Sequence, residues 1–269
     1  MTSIGPYELD TVHCADALDF LRALPDGCAD AVVTDPPYGT TACAWDTVVP
    51  FEPMWEQLRR IAKPRAAIVM TASQPFTSRL VMSNVEMFRY EWVWHKSRNG
   101  NFLNANRRPL KYHENVLVFG VDEPQYSPQF SAGAPYRNIR RRAGVQVNNG
   151  GKKGIIGHAI ISDGRRYPQS VIHIPSEGAN HPTQKPVALF AYLIRTYTQP
   201  GALVIDPFAG SGTCGIAARD TGRHFLLCDV TPEYVQIARD RLAAPYTPPL
   251  FVDDAPAPRS EQMSLMGDD

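Results

Sequence analysis

Ala202-Leu203-Val204-Ile205-Asp206-Pro207-Phe208-Ala209-Gly210-Ser211-Gly212-Thr213 decides the fold of this 269-residue chain. Its first four residues form a short, continuous apolar run, the pattern of a strand buried on both faces. An aspartate ends the run, and two glycines precede a helical stretch from Cys214 to Asp220. Glycines between a strand and a helix permit a tight turn and let a ligand approach the backbone. The GxGxxG dinucleotide fingerprint is absent, because Gly210 and Gly212 lack a third glycine at the required spacing. Further on, the strand His224-Phe225-Leu226-Leu227-Cys228 ends at Asp229. An acidic residue at the tip of the next parallel strand is where an α/β sheet holds ribose hydroxyls. Thr231 then reads as an N-cap and Pro232 as the first helical position, with Val235, Ala238 and Leu242 on the apolar face. A nucleoside-containing cofactor fits this segment. The plainer alternative is a βαβ core with a surface aspartate.

The first half carries a second loop of this kind. Ala31-Val32-Val33 leads into Asp35-Pro36-Pro37-Tyr38, followed by Gly39. A carboxylate, two rigid imino acids and an aromatic ring at the mouth of a buried strand suit chemistry on the amino group of a nucleic-acid base. The carboxylate of Asp35 can accept an exocyclic N–H, and the prolines restrict the backbone so that the Pro36 carbonyl can be aimed at the same nitrogen. Tyr38 offers a stacking face to a base drawn out of its helix. A proline-rich turn that merely ends a strand is the alternative.

Working outward, further segments appear in order: Ala72-Ser73-Gln74-Pro75-Phe76, Asn104-Ala105-Asn106-Arg107-Arg108-Pro109 with His113-Glu114, and His181-Pro182-Thr183-Gln184-Lys185-Pro186. With the Asp35 and Asp206 loops, they span roughly Val12 to Leu242. Together they resemble the β class of amino-methylating DNA methyltransferases, the N6-adenine and N4-cytosine family. The resemblance implies an α/β, doubly wound, mostly parallel seven-stranded sheet of Rossmann-like type. It implies S-adenosyl-L-methionine as cofactor and double-stranded DNA as substrate. Asp35, Pro36, Pro37 and Tyr38 become the catalytic set. Asp206, Phe208, Ala209, Gly210, Ser211, Gly212 and Thr213 become the cofactor loop, with Asp229 beside the ribose and Asp16 beside the adenine ring. Thr183 and Lys185 are expected near the methionine carboxylate of the cofactor. From local sequence alone, Asp16 reads equally well as a carboxylate at a helix N-terminus, and Thr183 as an N-cap.

The order of the loops adds a topological expectation. The strand Thr11-Val12-His13-Cys14 ends at Asp16, and a short helix follows from Ala17 to Leu24. In the resembled fold the cofactor strand comes first and the catalytic strand fourth, whereas here Asp35 precedes Asp206. The chain therefore reads as circularly permuted, with its termini between the strand ending at Asp229 and the strand ending at Asp16. The expected organisation is a catalytic half at 1–120, a loop-rich target-recognition insert at 121–180, a cofactor half at 181–244 and a disordered tail at 245–269.

Net charge is zero, with 27 Lys and Arg against 27 Asp and Glu. The distribution is uneven. Between His95 and Ser170 there are 13 basic residues, among them Arg107, Arg108, Arg140, Arg141, Arg142, Lys152 and Lys153, and only 4 acidic ones. Phosphate attraction follows the local patch, not the total, and these seven residues are the expected DNA-binding group. The segment Gly120 to Asn180 shows little periodicity beyond short runs such as Val171-Ile172-His173-Ile174, which suits a recognition region. Five scattered cysteines, Cys14, Cys28, Cys43, Cys214 and Cys228, show no CxxC spacing and suggest free thiols in the cytoplasm. Neither a membrane span nor a metal site is indicated, since His181 has no partner ligands at metal-binding spacing.

The resulting reading is a site-specific DNA methyltransferase acting on adenine N6, because family members with aspartate at the Asp35 position mostly modify adenine. Cytosine N4 remains the alternative, as does a non-catalytic regulator that keeps the cofactor fold. A cognate restriction endonuclease is an optional partner.

Overall fold

Alternate residues of the strand Ala29–Thr34 serve two different cores. Ala31 and Val33 face one layer of helices, and Val32 faces the other. The same division runs across the sheet, with Val204 and Leu227 on the first side and Ile205 and Leu226 on the second. This is why these strands read as unbroken apolar runs: a sheet covered on both faces has no polar side. Burying one such side chain fully stabilises the fold by about 1.5–3 kcal/mol.

The computed structural model describes residues 2–40, 46–139, 159–177 and 184–244. The central sheet has eight strands, numbered here along the chain: β1 (Thr11–Cys14), β2 (Ala29–Thr34), β3 (Ala62–Ala72), β4 (Phe88–Gly100), β5 (Lys111–Phe119), β6 (Val171–His173), β7 (Leu203–Asp206) and β8 (His224–Asp229). Their spatial order is β6-β4-β5-β3-β2-β7-β8-β1. Only β5 runs against its neighbours; every other pairing in the sheet is parallel. Helices α1 (Ala17–Ala23), α2 (Phe51–Ile61) and α3 (Phe76–Ser83) cover one face through Phe20, Leu21, Leu58 and Leu80. Helices α4 (Val187–Tyr197), α5 (Thr213–Asp220) and α6 (Pro232–Ala243) cover the other through Phe190, Leu193, Ala217 and Ala238.

The sheet differs from the seven strands expected. β6 is the eighth, and it pairs parallel to β4 through Val171↔Val93, Ile172↔Trp94 and His173↔His95. The run Val171-Ile172-His173 stands out in the sequence, but so short a run does not show which strand it pairs with, and it moves β4 from the sheet edge to the interior. Two further ladders lie in the segment that looked loop-like: Ser131–Ala132 with Arg165–Arg166, and Tyr136–Ile139 with Ala159–Ser162. Arg140, Arg141, Arg142, Lys152, Lys153, Thr183, Cys43 and the 245–269 tail lie outside the described residues.

The permuted order is borne out. β1, near the start of the chain, pairs with β8, near its end, placing Cys14 opposite Asp229. Connections diverge between β7 and β2. From β2 the chain passes through α2 on one face to β3, and from β7 it passes through α5 on the other face to β8. Divergence at adjacent parallel strands opens a crevice at their carboxyl ends, where ligands bind in open α/β sheets.

Candidate active site

Asp35 and Asp206 both follow from that crevice, since they stand at the ends of the adjacent strands β2 and β7. One cavity of about 770 Å³ is lined by Asp35, Pro36, Pro37 and Tyr38 from the first loop, and by Asp206, Phe208, Ala209, Gly210, Ser211 and Thr213 from the second. Asp16, Lys185 and Asp229 line it as well. Gly212 does not; it lies behind the bend, against α6.

The glycine bend is built from backbone conformations that other residues avoid. Gly210 has φ +49° and Gly212 φ +79°. A Cβ on Gly212 would lie 2.8 Å from Cβ of Ala238 on α6, whereas Gly210 has nothing within 4 Å of that position. So Gly212 lets the bend pack on α6, and Gly210 leaves its backbone open to the cavity. The Gly210 N–H donates to Oδ2 of Asp229 across 2.9 Å, and the Thr231 N–H donates to Oδ1 across 2.8 Å. Ser211 Oγ donates to Oε1 of Gln184 across 3.2 Å, while Arg241 Nη1 donates to the Ser211 carbonyl across 2.6 Å.

Asp16 caps a helix and borders the cavity. Its Oδ1 accepts the N–H groups of Leu18 and Asp19 at the start of α1, at 2.8 and 3.2 Å, and its side lines the cavity. Asp206 is buried, with Oδ1 accepting from Thr34 Oγ1 at 2.5 Å and from the Phe208 N–H at 3.0 Å. Burial pushes its carboxyl up to about 7, against the pull of those two donors. Burial also pushes up the thiols of Cys214 and Cys228, the latter to about 12. Both stay protonated and serve packing.

Asp35 is held by three side chains. Tyr38 Oη donates to Oδ1 across 2.7 Å, Thr71 Oγ1 on β3 donates to the same oxygen, and Lys185 Nζ bonds Oδ2 across 2.6 Å. Lys185 also lies 3.5 Å from Oε2 of Glu114 on β5, whose Oε1 bonds Lys96 Nζ on β4 across 2.8 Å. Four charges of alternating sign thus run Lys96, Glu114, Lys185, Asp35. Burial would lower the Lys185 pKa, but Asp35 and Glu114 outweigh it and hold the ammonium above its ordinary value. Burial would raise Glu114, but Lys185 and Lys96 hold it below the usual carboxylate range. The Tyr38 ring stacks on Phe76 with centroids 5.1 Å apart, and Lys185 Nζ lies 5.4 Å from the centroid of that same ring.

Lys185 therefore stands on Asp35 and Glu114, and it lines the cavity. Thr71, Lys96 and the partnership of Glu114 went unassigned in the sequence. A signal existed for one pair: in the β4–β5 hairpin, Glu114 is opposite Trp94, two residues from Lys96. Arg107 and Arg108 are exposed on the β4–β5 connection, after a 3-10 turn at Phe102–Asn104. Among the described residues, no group of three His, Cys, Asp or Glu is placed to hold a metal ion, and no helix is long and apolar enough to cross a membrane.

The walls fit a nucleoside-containing cofactor. The cavity volume lies within the range of small-molecule sites, a carboxylate ends β8, and the open backbone at Gly210 permits close approach. Fold and site thus suit an enzyme with a nucleoside-containing cofactor, the Asp35 loop and the glycine bend sharing one cavity. Residues 29–240 match the sequence profile of the N6/N4 DNA methylase family, and the chain belongs to that family. It is a DNA methyltransferase that uses S-adenosyl-L-methionine.

Among characterised relatives, the DNA adenine methyltransferase YhdJ of Escherichia coli is 28% identical over 257 residues, covering 87% of this chain and 83% of YhdJ. The type II methyltransferase M.HpaI of Haemophilus parainfluenzae is 25% identical over 246 residues, covering 85% and 73%. Two solved structures share the fold. The M1.HpyAVI–SAM complex aligns at TM-score 0.58 and 23% identity, covering 86% of this chain and 98% of its own. The cytosine-N4-specific PvuII DNA methyltransferase aligns at TM-score 0.61 and 17% identity, covering 96% and 89%.

Proposed function

We propose that this protein methylates the exocyclic N6 of a specific adenine in double-stranded DNA, with the base turned out of the helix into the cavity. The observation that carries the reading is the Asp35 carboxylate, set in the wall that also holds the glycine bend. The lone pair of an exocyclic amine is delocalised into its ring, so the nitrogen is a weak nucleophile. Asp35 and the Pro36 carbonyl accept its two N–H groups and favour a pyramidal nitrogen with its lone pair directed across the cavity. Bound S-adenosylmethionine supplies an electrophilic sulfonium methyl there. Asp35 then orients and stabilises charge without acting as a strong base, so positioning and electrostatics provide most of the rate. Tyr38 supplies a stacking face, against an extraction cost of a few kcal/mol.

On the cofactor side, Asp229 takes the ribose and Asp16 the region of the adenine ring, with Asp206 to Thr213 as the enclosing bend and Thr183 and Lys185 nearby. On the DNA side, Arg107, Arg108, Arg140, Arg141, Arg142, Lys152 and Lys153 contact phosphates, and 121–180 reads the target. The similarity to relatives named type II methyltransferases supports pairing with a restriction endonuclease of the same specificity.

Cytosine N4 is the second reading, favoured by the likeness to the cytosine-N4-specific PvuII fold. Asp35 and the adenine methyltransferase YhdJ favour the first. Digestion of methylated DNA to nucleosides followed by mass spectrometry decides between them: N6-methyldeoxyadenosine is expected, and N4-methyldeoxycytidine overturns the assignment.

A further inference from the structure

Lys185 touches both features that a target base would use. Its ammonium lies 2.6 Å from Asp35 Oδ2, and it lies over the Tyr38 ring, 5.4 Å from the centroid. Beside it is an unusual acceptor. Oε2 of Glu114 is buried and makes no hydrogen bond, yet the Lys185 ammonium stands only 3.5 Å away. Buried carboxylate oxygens are ordinarily satisfied, because leaving one unpaired is costly. Glu114 itself is fixed, since Lys96 holds its other oxygen at 2.8 Å.

We propose that Lys185 occupies the Asp35 acceptor until the target base arrives, and that Glu114 then takes the lysine over. This rests on the reading of Asp35 as the acceptor of the target amine. Lysine suits the exchange, having three donors on a flexible stem. A shift of about 1 Å brings the ammonium within hydrogen-bond distance of Glu114 Oε2. The buried ammonium is paired with a carboxylate at both ends of that shift, so no uncompensated charge is created. The exchange loosens the lysine from Asp35 Oδ2, leaving that oxygen free to accept from the target amine. It also draws a positive charge towards Glu114 and away from the amine nitrogen, which becomes positive as it gains the methyl. Lys185 and Glu114 are positioning residues in this scheme.

The test uses the full-length protein, tritiated S-adenosylmethionine and plasmid DNA from a methylation-deficient host. In Glu114→Gln the lysine has one carboxylate left and stays on Asp35. The kcat/KM for DNA is expected to fall about tenfold, the effect of one charged hydrogen bond. Cofactor affinity by isothermal titration should stay within about twofold of the native value. Adding Lys185→Met to Glu114→Gln removes the competitor, and at saturating S-adenosylmethionine the rate should rise several-fold above that of Glu114→Gln. Native kcat/KM in Glu114→Gln overturns the proposal, as does a double variant no faster than the single. Should Glu114→Gln fail to fold, Glu114→Asp decides: its shorter carboxylate is drawn back from the lysine, and a native kcat/KM for DNA overturns the exchange. Asp35→Ala in the same assay separates the two levels. If it stays active, the reading of Asp35 fails; if it is inactive while Glu114→Gln is unimpaired, only the lysine exchange fails.

Discussion

The hydroxyl of Thr34 donates to Oδ1 of Asp206 across 2.5 Å, tying the last residue of β2 to the last residue of β7. Thr34 directly precedes Asp35, and Asp206 lies four residues before Gly210 of the glycine bend. The bond therefore fixes the spacing between the two loops that must act on one another, and it does so where both strands are buried. Misplacement by about 1 Å can cost a hundredfold in rate.

Removal of the central carboxylate should separate chemistry from binding. Asp35→Ala is expected to lower methyl transfer by at least 10²- to 10³-fold, as loss of one positioned electrostatic group does elsewhere. Cofactor binding should survive, because the bend at Gly210 and the carboxylate of Asp229 are untouched. Labelled-methyl incorporation and isothermal titration on the same preparation check both halves; near-normal turnover contradicts the role.

Asp206 gives stability a pH dependence with a definite sign. Its carboxyl is raised from 3.8 to about 7 by burial. The folded protein thus keeps a proton there that the unfolded chain releases near pH 4. The contribution is whole below that pH and is lost as pH rises towards 7. Asp206→Asn keeps an oxygen for Thr34 and Phe208 but cannot ionise. Its stability relative to the native protein should increase between pH 4 and 7 and then level off, measured by urea denaturation across that range. Glu114, held low by its lysines, contributes with the opposite sign, its share lost as pH falls.

Two glycines distinguish strain from collision. Gly222 has φ +72° with nothing within 4 Å of a Cβ, while Gly212 has φ +79° and meets Ala238 at 2.8 Å. Gly222→Ala should cost about 1–2 kcal/mol from backbone strain alone. Gly212→Ala should cost more, since α6 must also move, and should weaken cofactor binding. Thermal denaturation of both variants tests this; equal losses would show that the contact with α6 is unimportant.

Arg107 and Arg108 should reveal themselves through salt. If each neutralises one phosphate, each alanine substitution should reduce the slope of log K against log salt by about 0.9. The loss should be uniform across DNA sequences, because phosphate contacts carry no base information. Fluorescence anisotropy over a salt series measures the slope, and an unchanged value would remove these residues from the interface.

The fold is legible in the residues where the physics is local. A sheet covered on both faces demands continuous apolar strands, so β2, β7 and β8 are visible as runs, and the glycines after β7 announce a turn. β6 is visible only as the short run Val171-Ile172-His173, and its place in the sheet comes from the edge that β4 offers it. Lys185 was recognised as a site residue, but its partners were not, since Asp35 lies 150 positions away.

The amino-acid sequence alone determined the two-faced sheet, the permuted order of its loops and the residue types of the site, because burial, turn geometry and side-chain chemistry are written position by position. Only the tertiary structure decided which charges meet. The chain from Lys96 through Glu114 and Lys185 to Asp35 draws on β4, β5, the lead into α4 and the end of β2. Interactions between charges depend on separation and burial in space, and both are set by how the strands lie side by side.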